Sequence, residues 1–195
     1  MKLAIFGGTF DPIHDAHLAI AREAVRRWEL ERVLFIPAGR PPHKAGFTHA
    51  PYEDRYRMVE LACAAEPRFE PSRLEAGARF SYSIETIEKV RATMGPGDEL
   101  YFIIGADAFA EIRTWRRWRE VIDAVRFIVV SRPGHCCECP AGAEVLRLDD
   151  LDLSVSSSEI RRRLVAGDER VAVPSAVLGY IREHGLYRGC GACGP

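Results

Sequence analysis

Apolar residues in this chain form short dense runs, separated by longer stretches in which they recur every three or four positions. Lys2-Leu3-Ala4-Ile5-Phe6, Val33 to Ile36, Leu100 to Ile104, Arg126 to Val130 and the shorter Val145 to Leu148 are the dense runs. Unbroken apolarity over so few residues, ended by glycine, proline or serine, predicts strands buried on both faces. Ala16 to Trp28 sets Leu18, Ala21, Ala24, Val25 and Trp28 near helical spacing, and Tyr52 to Ala65 does the same through Met58, Val59, Leu61 and Ala62. Ser83 to Met94 predicts a helix stopped by Gly95-Pro96-Gly97. Ser157 and Ser158 stand as caps for a helix through Leu164, and Pro174 to His184 predicts a last helix closed by Gly185. Arg40 to Pro51 reads as a Pro/His/Gly loop.

Strands alternating with helices predict an α/β fold with an open, mostly parallel, doubly wound sheet. Ligands of such sheets bind beyond the carboxyl ends of the strands, where strand order reverses. The turns at Gly7-Gly8, Pro37, Gly105 and Ser131 all follow strands, so they are expected to line one cleft. No repeat or linker divides the 195 residues, which suit one domain over 1–187 with a Cys/Gly-rich tail over 188–195.

Charge narrows the choice of partner. With 27 basic and 28 acidic residues the net charge is −1, so no global field recruits a nucleic acid polymer or a membrane. Basic residues cluster locally at Arg113 to Arg119 and Arg161 to Arg163, which fits a small anionic substrate better than a polymer. No apolar run approaches the roughly 20 residues of a membrane span, and the first residues carry a strand pattern, not a signal peptide. A cytoplasmic protein is the expectation, with homo-oligomerisation left open.

The chemistry concentrates in two turns. The first strand runs into GGTFDPIHDAH, Gly7 to His17, and the second turn is VSSSEIRRRL, Val155 to Leu164. Each reads as a strand end, a turn of small residues and the first turn of a helix, a geometry that aims free N–H groups and a positive dipole end above the sheet. Glycines let a phosphate approach the main chain, and two imidazoles three residues apart add donors. These turns describe a nucleoside triphosphate site.

The first turn resembles the (T/H)xGH signature of the nucleotidyltransferase superfamily, and the second resembles its ISSTxIR partner. FIPAGRPPHK (Phe35 to Lys44), FSYSIETI (Phe80 to Ile87), FIIGADAF (Phe102 to Phe109), Trp115, SRPG (Ser131 to Gly134) and VPSAVLGYIREHGLY (Val173 to Tyr187) extend the likeness. Having His14, not Thr, as the first motif member makes the chain similar to bacterial nicotinate-nucleotide adenylyltransferases. The resemblance implies a Rossmann-like domain that transfers AMP from ATP to nicotinate mononucleotide, giving deamido-NAD and pyrophosphate. It implies that His14, His17, Lys44 and Arg161 are catalytic. ATP would lie against Gly7, Gly8, Thr9, Phe10, His14, His17, Gly105, Asp107, Ser156, Ser157, Ser158 and Arg161. Nicotinate mononucleotide would meet Lys44, Tyr82, Thr86, Trp115 and Arg132, with Trp115 stacking on the pyridine. Mg²⁺ is expected, bound mainly through ATP phosphates. Three positions depart from the family pattern: Ala16 stands where glycine is usual, Ser158 where threonine is, and Arg116 where a second aromatic often follows the tryptophan.

Other readings are a sister enzyme acting on nicotinamide mononucleotide or another phosphorylated acceptor, and a nucleotide-binding regulatory module without turnover. The joint presence of His14, His17, Ser157 and Arg161 weighs against the module. Of six cysteines, Cys63 sits in a helical pattern as a buried small residue. Cys137, Cys139, Cys190 and Cys193, with Cys136 or His135 as substitutes, could supply a structural Zn²⁺ site, against free thiols or an adventitious disulfide as the plainer readings.

Overall fold

The computed structural model describes residues 1–39, 48–77, 81–131, 138–151 and 154–188. Six strands form one sheet: β1 (Lys2–Gly8), β2 (Arg32–Pro37), β3 (Phe69–Pro71), β4 (Glu99–Gly105), β5 (Arg126–Val130) and β6 (Val145–Leu148). Their order is β3-β2-β1-β4-β5-β6 and every pair is parallel. The helices are α1 (Asp15–Trp28), α2 (Tyr52–Cys63), α3 (Ser83–Arg91), α4 (Ala106–Ala110), α5 (Trp118–Ala124), α6 (Ser157–Val165) and α7 (Ser175–Glu183), with a 3₁₀ turn at Ile112–Thr114.

Alternation along the strands builds two cores. From β1, Ala4 and Phe6 face one side with Phe35, Ile103 and Ile128, and are covered by Leu18 and Ala21 of α1, Met58 and Val59 of α2, Ile160 of α6 and Val177 of α7. Leu3 and Ile5 face the other side with Phe102 and Phe127, beneath Ile87 of α3, Phe109 of α4 and Val121 of α5. Both faces are covered, which is why the strands read as continuous apolar runs. No described helix is long and apolar enough to cross a membrane.

The chain winds outward from β1 to β2 and β3, then returns to place β4 on the other side of β1. The reversal leaves a crevice between the ends of β1 and β4, at Gly7-Gly8 and Gly105. Sequence patterning reads these strands correctly but omits β3, α4 and α5, each too short to show a period. Two helix starts also differ from expectation. Helix α1 begins at Asp15, one residue before the expected Ala16, with His14 as its N-cap and His17 in its third position. Helix α6 is capped by Ser156, whose hydroxyl accepts from the Glu159 amide at 3.2 Å; Ser157 and Ser158 are already helical.

Candidate active site

The first turn is shaped by Phe10. Its φ of 49° is left-handed, a conformation that bulky residues rarely adopt, and the ring is buried edge-on against Phe6 at 5.8 Å and His17 at 5.0 Å. A Cβ at Gly8 would sit 3.0 Å from that ring, a tight contact that a side chain there could make only if the Phe10 ring gave way by a few tenths of an ångström. Gly7 has room to spare and lines the crevice. Ala16, the departure from the family's glycine, sits inside α1 with helical backbone, where a methyl group costs nothing.

The rings of His14 and His17 stack with centroids 3.8 Å apart. Burial drives the His14 pKa down to about 4, and burial with the neighbouring His14 holds His17 well below the ordinary value. Both are therefore neutral at pH 7. The His14 amide donates to His17 Nδ1 at 3.2 Å, which fixes the proton of His17 on Nε2 and leaves that N–H as its one donor. The His17 amide is taken by the His14 carbonyl at 2.9 Å, so it is the side chain, not this main-chain group, that can serve a ligand. His14 Nδ1 is buried and has no hydrogen-bond partner among the described residues.

The two turns, distant in sequence, are joined directly. Ser157 Oγ donates to the Pro12 carbonyl at 3.0 Å, and Arg161 Nη1 donates to the Asp11 carbonyl at 2.6 Å while its Nη2 reaches Ser158 Oγ at 3.2 Å. One arm of the Arg161 fork thus holds the first turn. The Asp11 carboxylate is buried and accepts from the amides of His49 at 2.7 Å and Ala50 at 3.1 Å and from the Tyr187 hydroxyl at 2.7 Å. Asp11 thus shapes the turn, as its position beside proline suggests.

Sequence reading misses Arg55. Its guanidinium is 1 % exposed and donates to the carbonyls of Thr9 at 2.7 Å, Ala38 at 2.9 Å and Ala50 at 3.3 Å. Burial pulls its pKa down and the Asp11 charge counters that; a guanidinium starts so far above neutrality that it stays charged. It ties the end of β1 to the end of β2. An arginine within an amphipathic helix normally faces water, so the signal would have been its place on the apolar side of α2.

Beyond Gly7-Gly8 opens a cavity of about 590 Å³ lined by the ends of β1, β2 and β4 and by Glu75, Tyr82, Thr86, Trp115 and Arg116. Trp115 stands edge-on to Phe102 with centroids 6.1 Å apart. Thr86 is buried and donates to Glu75 Oε1 at 2.7 Å, so its hydroxyl is engaged. Tyr82 is the N-cap of α3, whose first amides face this end of the sheet.

Of the expected site, Gly7, Gly8, Thr9, Tyr82, Thr86, Gly105 and Trp115 meet around this cavity. His14, His17, Ser156, Ser157, Ser158 and Arg161 do not line it; Ser157 and Arg161 bond to the Pro12 and Asp11 carbonyls of the first turn. Asp107 is exposed in the first turn of α4 and neither lines the cavity nor caps that helix, whose N-cap is Gly105. Ser131 does not reach the cavity either: its hydroxyl is turned to Asp149. Three of the four expected turns thus line the cavity, and of the turn that follows β5 only Ser131 lies among the described residues before position 138.

The basic clusters are largely spent on neighbouring carboxylates. Arg117 pairs with Glu88 and Glu120, Arg162 with Glu159, and Arg163 with Asp168. Lys44 and Arg132 lie outside the described residues, as do His135, Cys136, Cys137, Cys190 and Cys193. Cys63 is a buried free thiol, and Cys139 is exposed. Among the described residues no group of three His, Cys, Asp or Glu side chains could hold a metal ion.

Comparison with known proteins places this geometry. The cytidylyltransferase-like family model matches residues 5–163. The chain is 68 % identical over 187 residues to a protein of Solibacter usitatus named "Probable nicotinate-nucleotide adenylyltransferase", covering 96 % of this chain and all of that one. A Thermus thermophilus protein of the same name is 45 % identical over 190 residues, with 96 % and 100 % covered. Among solved structures, the Plasmodium falciparum nicotinic acid mononucleotide adenylyltransferase complexed with NaAD superposes with a TM-score of 0.76 at 19 % identity, covering 95 % of this chain and 97 % of that chain.

Proposed function

The chain belongs to the cytidylyltransferase-like family, among its nicotinate-nucleotide adenylyltransferases, and from that premise we propose that it transfers AMP from ATP to nicotinate mononucleotide, releasing pyrophosphate and forming deamido-NAD. The observation that carries this reading is the seam between the two turns. Ser157 and Arg161 bond to Pro12 and Asp11 and so hold the start of α6 beside the start of α1. Two helix N-termini and a neutral imidazole donor then converge at the end of β1, next to a cavity with an aromatic wall.

The acceptor oxygen belongs to a phosphate that is already anionic near neutral pH, so the reaction needs neither a general base nor a protein nucleophile. It needs alignment and positive potential where charge gathers on the α-phosphate and on the departing pyrophosphate. His17 Nε2–H supplies a fixed donor to the α-phosphate, with His14 beside it. The amides of the Gly7-to-Phe10 turn and the residues Ser156, Ser157, Ser158 and Arg161 cradle the outer phosphates. Gly105 and Asp107 bound the nucleoside. The cavity takes the mononucleotide, with its pyridine on Trp115 and between Tyr82 and Thr86. Lys44 and Arg132 keep the parts that the resemblance gives them, a cation over the cleft and a contact to the mononucleotide phosphate.

The family implies a divalent cation such as Mg²⁺ with ATP. Both carboxylate oxygens of Asp11 are already bonded, and the described residues offer no metal cage. This donor set fits a cation carried on phosphate oxygens and water, where it would add positive charge. The test is to incubate purified protein with ATP, Mg²⁺ and either nicotinate or nicotinamide mononucleotide and follow pyrophosphate release. Faster release with the acid is expected; no release with either acceptor would overturn the proposal.

A further inference from the structure

The charges around the cavity are unevenly distributed. Its described lining carries two carboxylates, Glu75 and Glu111, and a single cation, Arg116. The Arg116 guanidinium lies 4.7 Å above the ring of Tyr82, and its Nη1 is 3.5 Å from the carboxylate of Glu85. That ion pair is long and half exposed, whereas the neighbouring Arg117 reaches Glu88 at 2.7 Å and Glu120 at 2.6 Å. Arg117 is engaged; Arg116 is held in place by an aromatic face while its donors are only loosely satisfied. A planar guanidinium stacked on a ring is pre-organised for a carboxylate.

We propose that Arg116 is a specificity-determining residue, the cation that makes this cavity select a pyridine bearing a carboxylate over one bearing a neutral amide. The proposal rests on the reading that the pyridine of the mononucleotide occupies the Trp115 cavity. An anionic ring entering there meets repulsion from Glu75, Glu111 and the nearby Glu85, and Arg116 is the one cation of the described lining that offsets it locally. A neutral amide feels these charges only weakly, so the guanidinium contributes to the difference between the two acceptors more than to binding of either. Glu85 competes with the substrate for the same donors and therefore opposes the preference.

These opposite roles set the experiment. Steady-state kcat/KM is measured for nicotinate and nicotinamide mononucleotide at saturating ATP in the wild type, Arg116→Gln and Glu85→Gln, and calorimetry of each mononucleotide reads the same ratio without turnover. Arg116→Gln is expected to lower kcat/KM for the acid about tenfold, the scale of one charge contact in a half-solvated cleft, and to change the amide less than about threefold. Glu85→Gln is expected to raise the acid-to-amide ratio. An unchanged ratio in Arg116→Gln overturns the proposal, as does a parallel loss for both acceptors, which would assign the guanidinium to a phosphate they share. A lower ratio in Glu85→Gln also overturns it. Failure of the wild type to turn over either compound would instead remove the proposed reaction, while calorimetry still reports on Arg116.

Discussion

His17 offers one hydrogen-bond donor, because its Nδ1 already accepts from the His14 amide. Removing a pre-organised donor from developing charge typically costs ~3 kcal/mol, so His17→Ala should lower kcat about a hundredfold. Circular dichroism checks that the fold survives, and near-normal kcat in a folded variant would contradict the role. His14 gives a separate prediction from its pKa of about 4. A histidine held below its unfolded value of about 6.5 binds its proton more readily when unfolded, so its contribution is complete above pH 6.5 and declines as pH falls toward 4. Urea midpoints should therefore drop between pH 7 and pH 5 in the wild type and drop less in His14→Gln; equal slopes would show that His14 is not the titrating group. Both histidines are legible in the sequence because a motif packs the chemistry into one local turn. Arg55 is not, since its three carbonyl partners come from separate loops that meet only in the folded chain.

Helices α6 and α7 act on the site through the first turn without contributing to the sheet. The Tyr187 hydroxyl, just after α7, donates to the buried Asp11 carboxylate, which also holds the amides of His49 and Ala50. Burial first, and Asp11 second, raise the pKa of this phenol, so it remains a donor at every working pH. Tyr187→Phe leaves a buried carboxylate one donor short, a loss of about 1–3 kcal/mol. For a chain of this size that is a fall in Tm of roughly 2–12 °C, accompanied by a higher KM for ATP as the turn loosens. An unchanged Tm and KM would mean that the turn stands without this bond. Sequence patterning recovers α1, α2, α3, α6 and α7 because each has at least nine residues and an apolar stripe. It fails for β3, whose three residues end in Pro71 and are ordered by pairing with β2, and for α4 and α5, which are too short to repeat. It also names the wrong serine as the cap of α6, since three consecutive serines are equivalent until the backbone chooses Ser156.

Across the whole molecule, one reversal of strand order brings the ends of β1 and β4 together and sets the site there. The parallel sheet and its ligand-binding edge are legible in the alternation of apolar runs and helical stretches. The division of the site is not. Gly7, Gly8, Thr9 and Gly105 line the cavity with Tyr82, Thr86 and Trp115, while Ser157 and Arg161 bond to the Pro12 and Asp11 carbonyls of the first turn. This arrangement implies that the two substrates meet over that turn and react directly, with the α-phosphorus passing from ATP to the mononucleotide phosphate. Single-turnover reaction of the purified protein with ATP labelled on its α-phosphate, Mg²⁺ and nicotinate mononucleotide tests this most directly. The account predicts that the label moves into deamido-NAD in step with release of unlabelled pyrophosphate, with none retained on the protein; label that accumulates as AMP, or that stays covalently attached to the chain, would contradict it.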